Sequence, residues 1–128
     1  MTITAFYPIL YAKDADAALK RYTEELGFVH KHTVNLGYLK SYILEHDGYH
    51  VDIATTEREA FQMPDGYYAM RVNVREFDEA LAYYQALGYH TVMPPVHTES
   101  ADLVLLVNQD SDRIFLYHHI RKEERGEV

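Results

Sequence analysis

The chain has no cysteine and no tryptophan, few prolines (4) and glycines (6), and only 12 Lys and Arg against 20 Asp and Glu in 128 residues. Without thiols there is no disulfide framework, no Cys-based metal site and no thiolate nucleophile. The formal charge of −8 has the wrong sign for tracking a phosphate backbone, which argues against a nucleic-acid partner. No apolar run nears the roughly 18 residues that cross a bilayer. The opening Met1-Thr2-Ile3-Thr4-Ala5-Phe6 lacks the basic and apolar regions of a secretory signal. The expectation is a cytoplasmic chain that does not bind membranes. Glycine-rich phosphate loops are missing too, and no serine sits in a nucleophile elbow.

What the chain has in quantity is tyrosine, 12 residues. Each has an apolar body and a polar tip, suited to half-buried strands and to binding clefts alike. At this length one hydrophobic core is expected.

Two segments follow the same plan. Phe6 to Tyr11 reads as a strand, and Asp14 to Leu26 as a helix, with Ala15, Ala18, Leu19, Tyr22 and Leu26 on one stripe, Asp14 as N-cap and Gly27 as stop. Tyr67 to Val74 is again strand-like. Phe77 to Leu87 repeats the helical spacing through Phe77, Ala80, Leu81, Tyr84 and Leu87, ended by Gly88. Asp16 to Tyr22 aligns with Asp78 to Tyr84, and Leu26-Gly27-Phe28 with Leu87-Gly88-Tyr89, so the chain is a duplication. Three strand-like stretches follow each helix: Val29 to Val34, Leu39 to His46 and Tyr49 to Thr55, then His90 to Met93, Leu103 to Val107 and Arg113 to His118.

Asp47-Gly48 is a strong two-residue hairpin turn and fixes a register. It pairs His46 with Tyr49, Glu45 with His50, Leu44 with Val51, Ile43 with Asp52 and Tyr42 with Ile53. Tyr42, Leu44, Val51 and Ile53 then face the helices, while Ser41, Ile43, Glu45, His50, Asp52 and Ala54 face away. Residues 57–66, with Met63-Pro64-Asp65-Gly66, read as a linker, and Pro94-Pro95 interrupts the strand that begins near His90. The predicted organisation is one domain over 1–120, with units 4–56 and 67–120 and a charged tail over 121–128.

Taken in order, strand, Asp-capped helix ending in Leu-Gly-Phe, three strands, then the same again, the chain resembles the vicinal oxygen chelate superfamily, which includes glyoxalase I, extradiol dioxygenases and bleomycin resistance proteins. The likeness rests on Leu10-Tyr11-Ala12-Lys13-Asp14, Arg21-Tyr22, Leu26-Gly27-Phe28, Val51-Asp52-Ile53, and Ala86-Leu87-Gly88-Tyr89 before Pro94-Pro95. It implies an α+β fold of two βαβββ units, eight strands in an incomplete-barrel mixed sheet with helices on the outer face. It further implies metal ligands on the first and last strand of each unit. Those positions fall on Tyr7 and Asp52 in the first unit, and on Ala69 (with Tyr67 one pitch away) and Phe115 in the second. Ala and Phe donate nothing, and Tyr is a poor ligand unless ionised, so no metal and no cofactor is expected.

Strand alternation gathers Tyr7, Ile9, Tyr11, Ala69, Arg71, Arg113, Phe115 and Tyr117 on the face away from the helices. The candidate ligand-binding residues are Tyr7, Tyr11, Glu45, His50, Asp52, Tyr67, Arg71, Phe115 and Tyr117, an aromatic, partly acidic set suited to an aromatic or cationic small molecule. Asp52, if buried, needs a partner, and Arg71 or Arg113 would serve. His30 and His32, two apart on one strand, are expected to share a face, but no third ligand is assignable. His46, beside the turn, reads as a plain exposed histidine. His118 and His119 should point to opposite faces.

The functional expectation is metal-independent binding of a small organic molecule by a homodimer. Two alternatives stand beside it: a lyase, isomerase or dioxygenase with an atypical metal site, and a regulatory module whose cleft is filled by its own side chains.

Overall fold

A computed structural model describes residues 1–35, 39–92 and 94–120. The expected charged tail, 121–128, lies outside them, as does Met93 at the end of one expected strand. Two compact units emerge, residues 7–68, and residues 1–6 with those from Ala69 onward. Strand β1 (Ile3–Tyr11) contributes its beginning to one unit and its end to the other.

In the unit of residues 7–68, β1 leads into α1 (Ala15–Glu24), followed by β2 (Val29–Asn35), β3 (Lys40–His46) and β4 (Tyr49–Thr55). The spatial order is β2-β3-β4-β1, with β1 parallel to β4 and the other pairs antiparallel. Asp14 caps α1 as its sequence position demands, Oδ1 accepting from the Ala17 N–H at 3.0 Å. Ala18, Leu19 and Tyr22 of α1 pack onto Tyr42, Leu44, Val51 and Ile53, the face that strand alternation assigned to the core. The hairpin register agrees with the sequence reading pair for pair, from His46↔Tyr49 to Tyr42↔Ile53. Asp47 and Gly48 both take positive φ, 49° and 83°, as a type I′ turn needs.

The other unit repeats the plan. Strand β5 (Tyr68–Val74), α2 (Phe77–Ala86), β6 (His90–Thr91), β7 (Val96–His97), β8 (Ala101–Val107) and β9 (Arg113–His119) follow one another. The order is β6-β8-β9-β5, with β7 also on β8 and β5 parallel to β9. Phe77 and Ala80 of α2 pack with Val72, Val74, Val104, Leu106 and Leu116.

The duplication extends to helix endings. Gly27 (φ 77°) lets the Phe28 N–H return to the Tyr22 carbonyl at 3.0 Å, and Gly88 (φ 99°) does the same for Tyr89 and Tyr84 at 3.1 Å. In both, the aromatic after the glycine meets that tyrosine edge-to-face, with centroids 5.8 and 5.4 Å apart.

The architecture is therefore α+β with mixed strand pairing, and each unit's strand order ends on an edge strand. Nine strands are found among the described residues where eight were expected. The extra one arises at Pro94-Pro95: two consecutive residues without an N–H cannot continue a ladder. Four residues, 92–95, separate Thr91 from Val96 while only Val104 and Leu105 separate their partners Leu106 and Leu103, so one strand becomes two short ones. One further expectation is corrected. A bulge between His30 and His32 pairs His30 with Leu44 but His32 with Ile43, so the two rings lie on opposite faces and cannot share an ion. His46 is exposed beside the turn as expected, with its Nδ1 2.8 Å from the Gly27 carbonyl oxygen.

Thr2 ties the start of β1 to α2. Its N–H and its Oγ1 both donate to Glu76, each at 2.9 Å, which lowers that carboxyl below its ordinary value. A depressed folded-state value gives stability that is present above the normal carboxylate range and lost as the pH falls through the folded value. Thr2→Ala is therefore expected to lower the thermal midpoint at pH 7, and to lower it progressively less as acid protonates Glu76. Calorimetry of both proteins from pH 7 downward checks this.

Candidate functional site

On the β1-β4-β3-β2 sheet of residues 7–68, the face away from α1 is built in rows. Parallel and antiparallel registers place Ile9 beside Asp52 and Asp52 beside Ile43, then Tyr11 beside Ala54 and Ala54 beside Ser41. One step toward the Asp47-Gly48 turn, Glu45 faces His50, and the Tyr7 ring lies against His50 with centroids 5.8 Å apart. Val29 of β2 pairs with Glu45 and completes that row.

Exposure changes sharply down these rows. Asp52 is wholly buried (0% exposed), and Ile9, Tyr11, Ser41 and Ala54 are all buried beside or below it. Tyr7 and Glu45 are half-buried, while His50 and Val29 are open to solvent. The row nearest the turn is thus the one a solute reaches. It combines an aromatic ring, a carboxylate, an imidazole and an apolar edge, a set that can stack on a ring, pair with a cation and exchange a proton.

Tyr67, half-buried, lies next to the end of β1, where its carbonyl accepts from the Tyr11 N–H at 2.7 Å and the Gly66 N–H donates back to the Tyr11 carbonyl at 2.9 Å. It belongs to the deep end, away from Tyr7 and His50.

The remaining candidates sit in the other unit, on the face of β5, β9 and β8 away from α2. Arg71 pairs with Phe115 and Asn73 with Tyr117 in a parallel ladder, and Leu105 and Leu103 flank the two aromatics from β8. Arg71 is a buried cation, 6% exposed. Its Nε donates to Asn73 Oδ1 at 2.9 Å and its guanidinium lies 4.1 Å from the centre of the Tyr117 ring. Tyr117 in turn stacks on Phe115, 6.4 Å between centroids at 19°. Phe115 and Arg113 are half-buried.

Sequence reasoning therefore brought Tyr7, Glu45, His50 and Asp52 onto one face and set Asp52 deeper than His50, as the structure has them, but counted the buried Tyr11, Arg71 and Tyr117 among the ligand contacts. It missed Val29, because no two-residue turn signal like Asp47-Gly48 joins β2 to β3 and the bulge between His30 and His32 shifts the register that reaches it. It also missed Asn73, whose spacing of two from Arg71 places the two side chains on one face.

The divalent metal implied by the resemblance does not fit these residues. The ladder neighbours of Asp52 are Ile9 and Ile43, and those of Phe115 are Arg71 and Leu105, none of them a suitable donor. Among the described residues no three His, Cys, Asp or Glu side chains gather as a metal needs.

The stacked, buried guanidinium gives a direct expectation. Arg71→Lys keeps the charge but loses the planar fork and the stack, and is expected to cost about 1–3 kcal/mol in a urea unfolding experiment. Recovery of full stability by lysine would show that charge alone matters there.

No family model matches the sequence, and no curated protein matches it. Solved structures do. A hypothetical protein, BH1468, from Bacillus halodurans superposes with a TM-score of 0.70 at 12% identity, over 94% of this chain and 97% of that one. Methylmalonyl-CoA epimerase from Mycobacterium tuberculosis gives 0.67 at 15% identity, covering 96% and 93%. A glyoxalase/bleomycin resistance protein/dioxygenase superfamily member from Vibrio splendidus gives 0.57 at 15%, covering 91% and 99%. At these identities the likeness speaks of architecture. With its duplicated βαβββ plan and these matches over nearly its whole length, the chain has the vicinal oxygen chelate fold.

Proposed function

We propose that this chain binds a small aromatic or cationic organic molecule without a metal, at the row formed by Val29, Glu45, His50 and Tyr7. The observation that carries this reading is the gradient of exposure: that row is open, and the rows beneath it are closed around a fully buried Asp52. Glu45 supplies the charge for a cation, Tyr7 the ring face, and His50 a group that donates or accepts as the ligand requires. Tyr11 and Asp52 form the floor beneath, and Tyr67 its far end. On the other unit, Phe115 offers a half-buried ring backed by Tyr117 and Arg71. The binding chain is a cytoplasmic homodimer, with units at 4–56 and 67–120 joined by a linker at 57–66. Among the described residues no helix is long and apolar enough to cross a membrane, in keeping with this.

A second reading has one observation in its favour. Tyr11, Arg71 and Tyr117, expected to contact ligand, are each under a tenth exposed with no ligand present. A regulatory module filled by its own side chains would look the same at those positions. A reaction catalysed at an atypical metal site, the third possibility, would need Asp52 as its anchor.

Titration calorimetry with benzyltrimethylammonium, which is both aromatic and cationic, separates the three. Binding in the presence of a chelator, weakened about tenfold by Glu45→Gln and also by Tyr7→Ala, is the expected outcome. No heat with this probe, and no thermal shift with a panel of aromatic amines, would favour the filled module. One divalent ion per purified chain, lost in Asp52→Ala, would overturn metal-independent binding.

A further inference from the structure

The sheet of residues 7–68 carries one row more than the apolar side of α1 covers. Ala18, Leu19 and Tyr22 pack onto the rows of Tyr42, Leu44, Val51 and Ile53. Beyond Tyr42, on the same face, the registers set Asn35 beside Lys40 and Lys40 beside Thr55. Against that last row stands only the first turn of α1, where Ala15 and Asp16 bring no large apolar side chain to fill the gap. A cavity of about 520 Å³ is left between them, a size suited to a small molecule. Lys13 and Asp14 close it ahead of the helix, and Thr56 and Glu57 close it after β4. It lies on the opposite face of the sheet from the row of Glu45, His50 and Tyr7, and at the other end of β3 and β4 from the Asp47-Gly48 turn.

The charges around this cavity are of both signs. Lys13 and Lys40 supply two ammoniums, Asp16 and Glu57 two carboxylates, and among the described residues none of these four is in an ion pair. The Lys40 Nζ lies instead 5.3 Å from the centre of the Tyr42 ring. Asp14 is occupied as the cap of α1. Opposite charges that line one cavity without reaching each other are bridged by a molecule that carries both. A plain anion would meet three carboxylates along with the lysines, and a plain cation would meet the lysines along with the acids.

We propose that this cavity binds a small zwitterion, an amino acid or dipeptide with both ends free. The ligand carboxylate faces Lys13 and Lys40, and its ammonium faces Asp16 and Glu57. Thr55, in the row of Lys40, adds a hydroxyl that can donate or accept between the two ends. The site uses none of the side chains of the Glu45 row and does not rest on that row's function.

In the test, the full chain labelled with 15N is titrated with L-alanyl-L-alanine and with the same dipeptide blocked at one end. Acetylation leaves an anion and amidation a cation, both of nearly the same size. The amide signals of Ala15, Asp16, Lys40 and Thr56 are expected to move, with the free dipeptide binding about fivefold more tightly than either blocked form. Lys40→Gln should shrink the advantage over the amidated form, and Glu57→Gln the advantage over the acetylated one. Unmoved signals elsewhere show that each variant is folded. Equal shifts with all three probes, tighter binding of a blocked form, or no shift up to about 20 mM would overturn the zwitterion site. Binding of benzyltrimethylammonium is read at the Tyr7 and His50 amides, so failure of either site leaves the other standing.

Discussion

Register is the constraint on which the unit of residues 7–68 depends. Asp47 and Gly48 both sit in the left-handed region, and the two-residue turn they make admits a single alignment of β3 on β4. Side chains alternate with a period of two, so a slip of β4 by one residue against β3 would send Val51 and Ile53 to the open face and His50 and Asp52 into the α1 core. Burying two ionisable groups among apolar ones would cost far more than any alternative turn could recover. The turn and the core therefore enforce each other, and the candidate row is the part of the sheet nearest the turn, where the packing ends.

The two units show how one plan tolerates divergence. Both end their helix on the same Tyr-to-aromatic return across a left-handed glycine, and both pair first strand with last in parallel. They differ in the strand after the helix. In one unit it is continuous apart from the bulge between His30 and His32, whereas in the other Pro94-Pro95 divides it. In both cases the irregularity falls on a strand with fewer neighbours, where missing ladder bonds are met by solvent. The paired inner strands are regular in both units.

This explains which features were legible in the sequence. Helix stripes, the Asp14 cap, the glycine stops and the hairpin pairing follow from local chemistry and were readable residue by residue. The bulge was not, because it adds one residue without any special residue type to mark it, and so His30 and His32 were placed on one face. Depth along a strand was readable only in part: distance from the turn puts Asp52 below His50, but alternation does not say that Tyr11 lies under cover while Tyr7 meets solvent. Depth is set by what lies over a strand, which is long-range information. The contact of the exposed His46 with Gly27 was hidden for a similar reason, since that partner lies nineteen residues away.

The retained polar groups limit what this fold can be doing here. A carboxylate at zero exposure and a guanidinium at 6% are expensive to desolvate and persist only where hydrogen bonds or opposite charge offset that cost. Apolar residues of similar size would fill the same volumes with less penalty, so Asp52 and Arg71 are not needed for packing alone. Arg71 has a visible purpose in its own unit, holding Asn73 and the Tyr117 ring in fixed orientation. Asp52 lies one row beneath Glu45 and His50, on the same face, with isoleucines on both sides. Isoleucines give a carboxyl nothing to bind, so the cost of burying Asp52 has to be met by polar contacts from outside its two ladder neighbours.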